Sequence, residues 1–171
     1  SFLWAIVMFF SLWGLPSDER LNHTHTLFTW IAAGRFTVDF GTLVDPLSMT
    51  FVLFITGIAT LIHLYSIGYM HGDPRFSRFF GYLNLFAASM LILVLGSSYL
   101  TTFLGWEGVG LCSYLLIGFY FLKKSASDAG KKAFIVNRVG DFGFSLAMFL
   151  IVVTFGTLDF AQVFEKAQAM P

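Results

Sequence analysis

Charge falls along this chain in blocks. No Asp, Glu, Lys or Arg lies between Asp45 and Asp73, and between Phe79 and Leu122 the only one is Glu107. Uncharged runs of this length read as membrane spans, because about 20 residues rising 1.5 Å each cross a hydrocarbon core of roughly 30 Å. The pattern predicts four complete spans and one partial span. The partial one covers 1–15 and stops at Pro16-Ser17-Asp18-Glu19, a turn-forming cluster. The first complete span covers 47–69, with Asp45 placed as N-cap and Pro46 at the first helical position. The run from Phe79 to Leu122 exceeds a single span, since some 44 residues of helix would measure about 66 Å. Gly96-Ser97-Ser98 divides it into spans 78–96 and 99–122. A basic loop, KKSASDAGKK, leads into the last span, 132–155.

Two stretches follow other periods. Residues 16–46 form the one sizeable extramembrane segment, and within TLFTWIAAGRFTVDF the residues Phe28 and Trp30, then Phe36, Val38 and Phe40, alternate with polar or small neighbours on either side of Ala-Ala-Gly. That alternation predicts a β-hairpin. In 157–168, Phe160, Val163, Phe164 and Ala167 share a helical face, with Asp159, Glu165 and Lys166 elsewhere, as in a short amphipathic helix lying in the membrane interface. The expected fold is an all-α polytopic membrane protein, a transmembrane helix bundle with a small extramembrane β-hairpin.

Composition agrees: 57% of residues are hydrophobic and 12% charged, against roughly 25% charged in soluble domains. The net charge is zero and no long basic run occurs, so neither nucleic acid nor an anionic membrane surface is indicated as a partner; the hydropathy makes the lipid bilayer itself the expected partner. Cys112 is the only cysteine, so a disulfide within the chain is excluded and a cysteine metal site has no second thiol. His23 and His25 have no third ligand nearby in sequence, and no metal is expected. There is no dinucleotide glycine fingerprint, P-loop or cysteine cluster, hence no place for a nucleotide, flavin or iron–sulfur centre on this chain. Asn22 opens an NHT triplet, a pattern frequent by chance. His63 reads as an interfacial histidine, and Trp106 as packing. The opening SFLWAIVMFFSLWGL has neither a basic region nor a small-residue cleavage site and reads as the last half of a span, so the chain is expected to be a piece of a longer one.

Short-loop charges set orientation. Arg75 and Arg78 in one loop and Lys123, Lys124 and Lys131 in the other lie on a single side, expected to face the cytoplasm or matrix. Arg20, Arg35 and Lys166 lie opposite, with the hairpin.

The interior charges carry the functional reading. A charge at mid-membrane costs something like 2.5 to 3.5 kcal/mol on insertion scales. Glu107 stands about eight residues, or roughly 12 Å, from the start of its span, on a stripe with Phe103, Gly110, Leu111, Tyr114 and Gly118. In the last span Asn137, Arg138, Asp141 and Ser145 form a polar stripe, with Asp141 about 14 Å from the other face. Antiparallel spans bring Glu107 and Asp141 to similar depth near the midplane. Two carboxylates, a guanidinium and nearby hydroxyls are the parts of a proton or cation pathway, and a desolvated carboxyl favours its protonated form. The competing reading is a structural module in which Arg138 and Asp141 neutralise each other and the charges only fix helix packing.

GWEGVGLCSYLLIGFY followed by KKAFIVNRVGDFGF, with VDFGTLVDPLSMTF, LIHLYSIGYMHGDPRFSRFFGYLNLFAASM and FGTLDF in the same order, resembles the antiporter-like subunit L of respiratory complex I, whose mitochondrial counterpart is NADH dehydrogenase chain five. The resemblance implies the N-terminal part of an antiporter-like fold in a proton-pumping NADH:quinone oxidoreductase. It assigns Glu107 to the family's essential glutamate on the fifth transmembrane helix, and Arg138 and Asp141 to the charged motif of the next. Lys131 and Lys132 fall where that helix begins, and Tyr114 and Ser145 are flanking candidates. In the family the glutamate works opposite a lysine on a later helix, which lies outside the spans present here. The resemblance further implies partners among the other membrane-arm subunits, with NADH, FMN, iron–sulfur clusters and quinone held elsewhere in the complex. The expected location is a bacterial inner membrane, or alternatively a mitochondrial one. A subunit of multisubunit sodium/proton antiporters, which shares the glutamate helix, is the related alternative.

Overall fold

A computed structural model of the chain describes residues 1–16, 19–20, 23–34 and 36–170. The elements run α1 (Phe2–Trp13), β1 (His23–Ala33), β2 (Phe36–Val44), α2 (Pro46–Tyr69), α3 (Phe76–Leu95), α4 (Tyr99–Ile117), α5 (Lys124–Phe155) and α6 (Phe160–Gln168). Helices α2, α3, α4 and α5 are long and apolar enough to cross a membrane, while α1 is apolar but shorter. Asn22 and Arg35, named above for a sequon and for loop charge, lie outside the described residues.

The helix starts are encoded locally. Asp45 accepts a hydrogen bond from the Ser48 amide at 2.7 Å, and the Ser48 hydroxyl accepts one from the Asp45 amide at 2.9 Å, a closed capping box ahead of Pro46. Ser98 accepts from the Thr101 amide at 3.2 Å and so starts α4 directly after the Gly96-Ser97 turn. Two boundaries differ from those expected by five residues or more. Helix α4 ends at Ile117 instead of Leu122, and KKSASDAGKK is helical instead of a loop, so that α5 begins at Lys124 instead of Lys132. No proline interrupts that segment. Its glycine, Gly130, is buried where a Cβ would sit 3.3 Å from the Tyr114 carbonyl and 3.4 Å from Gly118. Close packing on the end of α4 offsets the low helix propensity of glycine. The strands are likewise longer than the alternating residues alone: β1 and β2 pair antiparallel from His23↔Val44 to Ala33↔Phe36, with irregularities between Thr26 and Phe28 and between Thr29 and Ile31.

The elements are tied at both ends of the bundle. At the hairpin end, the Ser97 amide donates to the Gly41 carbonyl (3.2 Å) and the Tyr99 amide to the Leu158 carbonyl (2.9 Å), so β2, the α3–α4 turn and the α5–α6 link meet. Val38 of β2 is buried there with Met148 and Leu158, and Phe160 of α6 meets the Tyr99 ring edge-on at 4.6 Å. At the opposite end the Arg75 guanidinium lies 5.1–5.5 Å from the rings of Phe119, Tyr120 and Phe121, and the Tyr120 hydroxyl donates to Asp73 at 3.3 Å. Both basic loops are therefore at one end.

Between these ends, small residues set helix separation. A Cβ added to Gly105 of α4 would stand 2.4–2.5 Å from Leu93 backbone atoms of α3, and one added to Gly108 would stand 2.5 Å from the Ser89 hydroxyl. Only glycine allows this approach, the usual device where both helix surfaces are as apolar as lipid. Ala5 and Leu12 of α1 pack on Met49 and Val52 of α2. Large apolar side chains such as Val139, Phe142 and Val153 point outward at 68–83% exposure, as a chain solvated by lipid or by further helices allows. In the full-length protein, Gly105→Val is expected to destabilise the fold by about 1–3 kcal/mol, the scale of overpacking a tight contact. Gly81→Ala, where a Cβ meets nothing within 4 Å, should be neutral or gain up to about 1 kcal/mol. Unfolding in detergent distinguishes the two.

Candidate functional site

Glu107 lies mid-way along α4, and Arg138 and Asp141 lie one turn apart on α5. Packing of these helices brings all three together. Arg138 Nη1 donates to Glu107 Oε2 and lies 3.4 Å from Asp141 Oδ2, so one nitrogen stands between two carboxylates. The guanidinium carbon is 4.4 Å from the Phe134 ring centroid, a cation–π contact that covers one face. Arg138 Nε is buried without a hydrogen-bond partner among the described residues.

The two carboxylates are held differently. Asp141 Oδ1 accepts from the Trp106 indole N–H at 2.8 Å, and the Asp141 side chain is 7% exposed against 23% for Glu107. Asp141 is the fixed anion, pinned from both helices; Glu107 has the guanidinium as its only polar partner among the described residues. Because α4 and α5 are antiparallel, Trp106, Glu107, Arg138 and Asp141 share one level of the bundle.

The remaining sequence candidates are placed around this group without joining it. The Ser145 hydroxyl donates to the Asp141 backbone carbonyl at 2.9 Å, so it serves the helix and not the carboxylate. Tyr114 packs on Phe134, ring centroids 5.4 Å apart, beneath the guanidinium. Lys132 is exposed and makes no ion pair among the described residues; six residues before Arg138, it lies about 9 Å further along α5. Asn137 stands beside Gly110, its amide nitrogen 3.6 Å from where a Cβ would be. Trp106, read from sequence as packing, is a polar member of the site. The signal for this was its indole N–H, which a Trp side by side with a buried charge rarely leaves without an acceptor.

The site sits on a recognisable scaffold. Residues 30–80 match the family model described as NADH-ubiquinone oxidoreductase (complex I), chain 5 N-terminus, and residues 96–171 match the one described as NADH:quinone oxidoreductase/Mrp antiporter, TM. Between them the two models take in most of the chain, including every residue of the charged group. The chain belongs to this antiporter-like subunit family of complex I. Among relatives, NADH-quinone oxidoreductase subunit L of Mycobacterium tuberculosis (strain ATCC 25618 / H37Rv) is 60% identical over 156 residues, 91% of this chain and 24% of that protein. Subunit L of Escherichia coli (strain K12) is 47% identical over 90% of this chain and 25% of its own length. NADH-ubiquinone oxidoreductase chain 5 of Chondrus crispus is 46% identical over 96% of this chain and 24% of its own length. The chain thus spans about a quarter of the length of these relatives. Among solved structures, the Mrp complex from Dietzia sp. DQ12-45-1b superposes with a TM-score of 0.74 at 26% identity, covering 93% of this chain and 16% of that one. An archaeal membrane-bound sulfane sulfur reductase shares the fold, with a TM-score of 0.62 at 19% identity over 92% of this chain and 24% of that one. As a complex I family member with four membrane-length helices, this is a multi-pass membrane protein.

Trp106→Phe keeps the ring packing on Phe144 and removes the donor to Asp141. The expected loss is about 1 kcal/mol of stability, the scale of one interhelical hydrogen bond. The asymmetric carboxyl band of Asp141 should shift in infrared difference spectra, whereas Trp4→Phe, on an exposed position, should change neither.

Proposed function

We propose that this chain forms part of a proton-translocating membrane-arm subunit of an NADH:quinone oxidoreductase, and that protons pass through the group made by Glu107, Arg138 and Asp141. The observation that carries the reading is the single guanidinium held between two carboxylates at the α4–α5 contact. Mid-membrane ionisable residues are expensive, and where they occur they characteristically line ion or proton routes. The two carboxylates also outnumber the one cation, so the group as it stands is short of a positive charge or a proton.

The geometry supports an electrostatic cycle. Asp141, pinned by Trp106, holds Arg138 from one side, while Glu107 engages the same nitrogen from the other. A charge change in a neighbouring subunit tips Arg138 toward Asp141, frees the charge of Glu107, and thereby changes the proton affinity of a base close by. Lys132, Tyr114 and Ser145 flank the route, and the unpartnered Arg138 Nε marks where a water or a polar group of the assembly attaches. Redox chemistry belongs to other subunits, which hold NADH, FMN, iron–sulfur clusters and quinone; this chain holds none. Its partners are the lipid bilayer and the other membrane-arm subunits. The 60% identity to a bacterial subunit L supports a bacterial plasma membrane, with the two basic loops on the cytoplasmic side and the hairpin and α6 at the opposite interface.

A second reading, a subunit of a cation/proton antiporter, is favoured by the superposition on the Mrp complex. The match of residues 30–80 to the chain 5 model weighs toward the oxidoreductase.

Glu107→Gln, in the full-length subunit within its assembly, removes the charge and keeps the shape. In sealed vesicles the expected outcome is loss of most of the proton gradient with slowed quinone-dependent NADH oxidation, in a complex that still assembles. Normal pumping after normal assembly would leave only the packing role for these charges.

A further inference from the structure

The end of the bundle that carries the basic loops holds a second polar group, separate from the ion pair. Between the first turn of α3, the last turn of α4 and the first turns of α5 lies a cavity of about 200 Å³ whose polar lining is Arg78, Tyr82, Tyr114 and Ser127, with Leu115 and Phe121 among its apolar walls. Arg75, one turn before Arg78, is engaged by Asp73, by the Phe119 carbonyl and by three aromatic rings. Arg78 makes no ion pair or hydrogen bond with any described residue, and neither do the hydroxyls of Tyr82, Tyr114 and Ser127. Among the described residues these four side chains line one space without an ion pair or hydrogen bond, Arg78 and Tyr114 being exposed and Tyr82 and Ser127 half-buried.

We propose that this cavity binds the phosphate of an anionic phospholipid, with Arg78 as its charged ligand. Guanidinium and hydroxyl donors match the several oxygens of a phosphodiester, and arginine is the side chain best shaped for that anion. Among the described residues no carboxylate lines the cavity, so a choline or ethanolamine cation gains nothing there, while Lys124 and Lys131 on the adjacent turns of α5 add positive potential. The carboxylate on those same turns, Asp128, is exposed and outside the lining. The position is that of a headgroup: Arg78 is the third residue of α3 and Tyr114 lies three residues from the end of α4, within about 5 Å of the helix ends. Leu115, Phe119 and Phe121 give the cavity apolar walls beside the polar donors, and Phe121 and its neighbour Leu122, just past the end of α4, are 54% and 85% exposed. A soluble phosphate has no use for such a surface, whereas acyl chains do.

A photoreactive phosphatidylglycerol with its reactive group near the headgroup tests this in the full-length subunit within its assembly. Labelling should map by peptide mass spectrometry to residues 114–127 and be competed by phosphatidylglycerol, not by phosphatidylcholine or inorganic phosphate. Arg78→Gln should lower it about fivefold, the factor that one basic residue near the surface contributes, and Arg78→Lys should restore most of it. Equal labelling from photoreactive phosphatidylcholine, or labelling unchanged in Arg78→Gln, would show ordinary boundary lipid and overturn the proposal. Full competition by inorganic phosphate would overturn the lipid as the source. The readout is independent of proton pumping.

Discussion

Arg138 is placed between Glu107 and Asp141, and much else in the bundle serves to make that placement available. Each of these groups alone would cost something like 2.5 to 3.5 kcal/mol or more at mid-membrane, and none can be satisfied by lipid. Pairing within α5 would neutralise Arg138 with Asp141 but leave Glu107 bare on α4. The contact across helices gives each of the three a partner of opposite charge, and it exists only when α4 and α5 run antiparallel at one register. Slipping α5 by a turn would move Arg138 about 5 Å and strand Glu107.

That register is held from the ends. At one end the Tyr99 amide bonds to the Leu158 carbonyl, so the start of α4 is tied to the link that follows α5. At the other, Gly130 of α5 seats against Gly118 and the Tyr114 carbonyl at the end of α4. Between these anchors the separation is set by Gly105 and Gly108, which draw α4 onto α3, and by Gly110 beside Asn137 on α5. Polar and steric constraints therefore act on the same helix from three directions, as is common where hydrophobic burial does not drive helix association.

The asymmetry of the two carboxylates connects packing with the proposed activity. Asp141 is buried and receives the Trp106 indole N–H, while Glu107 is more open and among the described residues has only the guanidinium as polar partner. A cation shared by one fixed and one freer anion is an element that a modest change in local potential can bias. The chain spans about a quarter of the length of these relatives, and the outward-facing apolar side chains of α5 and Arg138 Nε, which has no hydrogen-bond partner among the described residues, are surfaces left open for further contacts.

Much of this was legible in sequence because membrane spans are written in charge-free length and interior charges stand out against it. The spacing of Arg138 and Asp141, the capping residues Asp45 and Ser98, and the turn at Gly96 all act over a few residues, so local reading reaches them. The extension of α5 back to Lys124 was not legible, since its polar first turns carry no apolar period and are held by Gly130 meeting Gly118 across helices. Trp106 packs on Phe144 as its sequence context suggests, but its hydrogen bond to Asp141 was not legible, because whether an indole N–H finds lipid, carbonyl or carboxylate depends on the azimuth of α5. The sequence by itself determined that four helices are long and apolar enough to cross a membrane, where α2 and α4 begin, and that Glu107, Arg138 and Asp141 fall within such helices. Only the tertiary structure decided which of those charges share a partner, since that depends on the rotation and depth of two helices, quantities settled by glycine contacts and end-to-end hydrogen bonds between segments far apart in the chain.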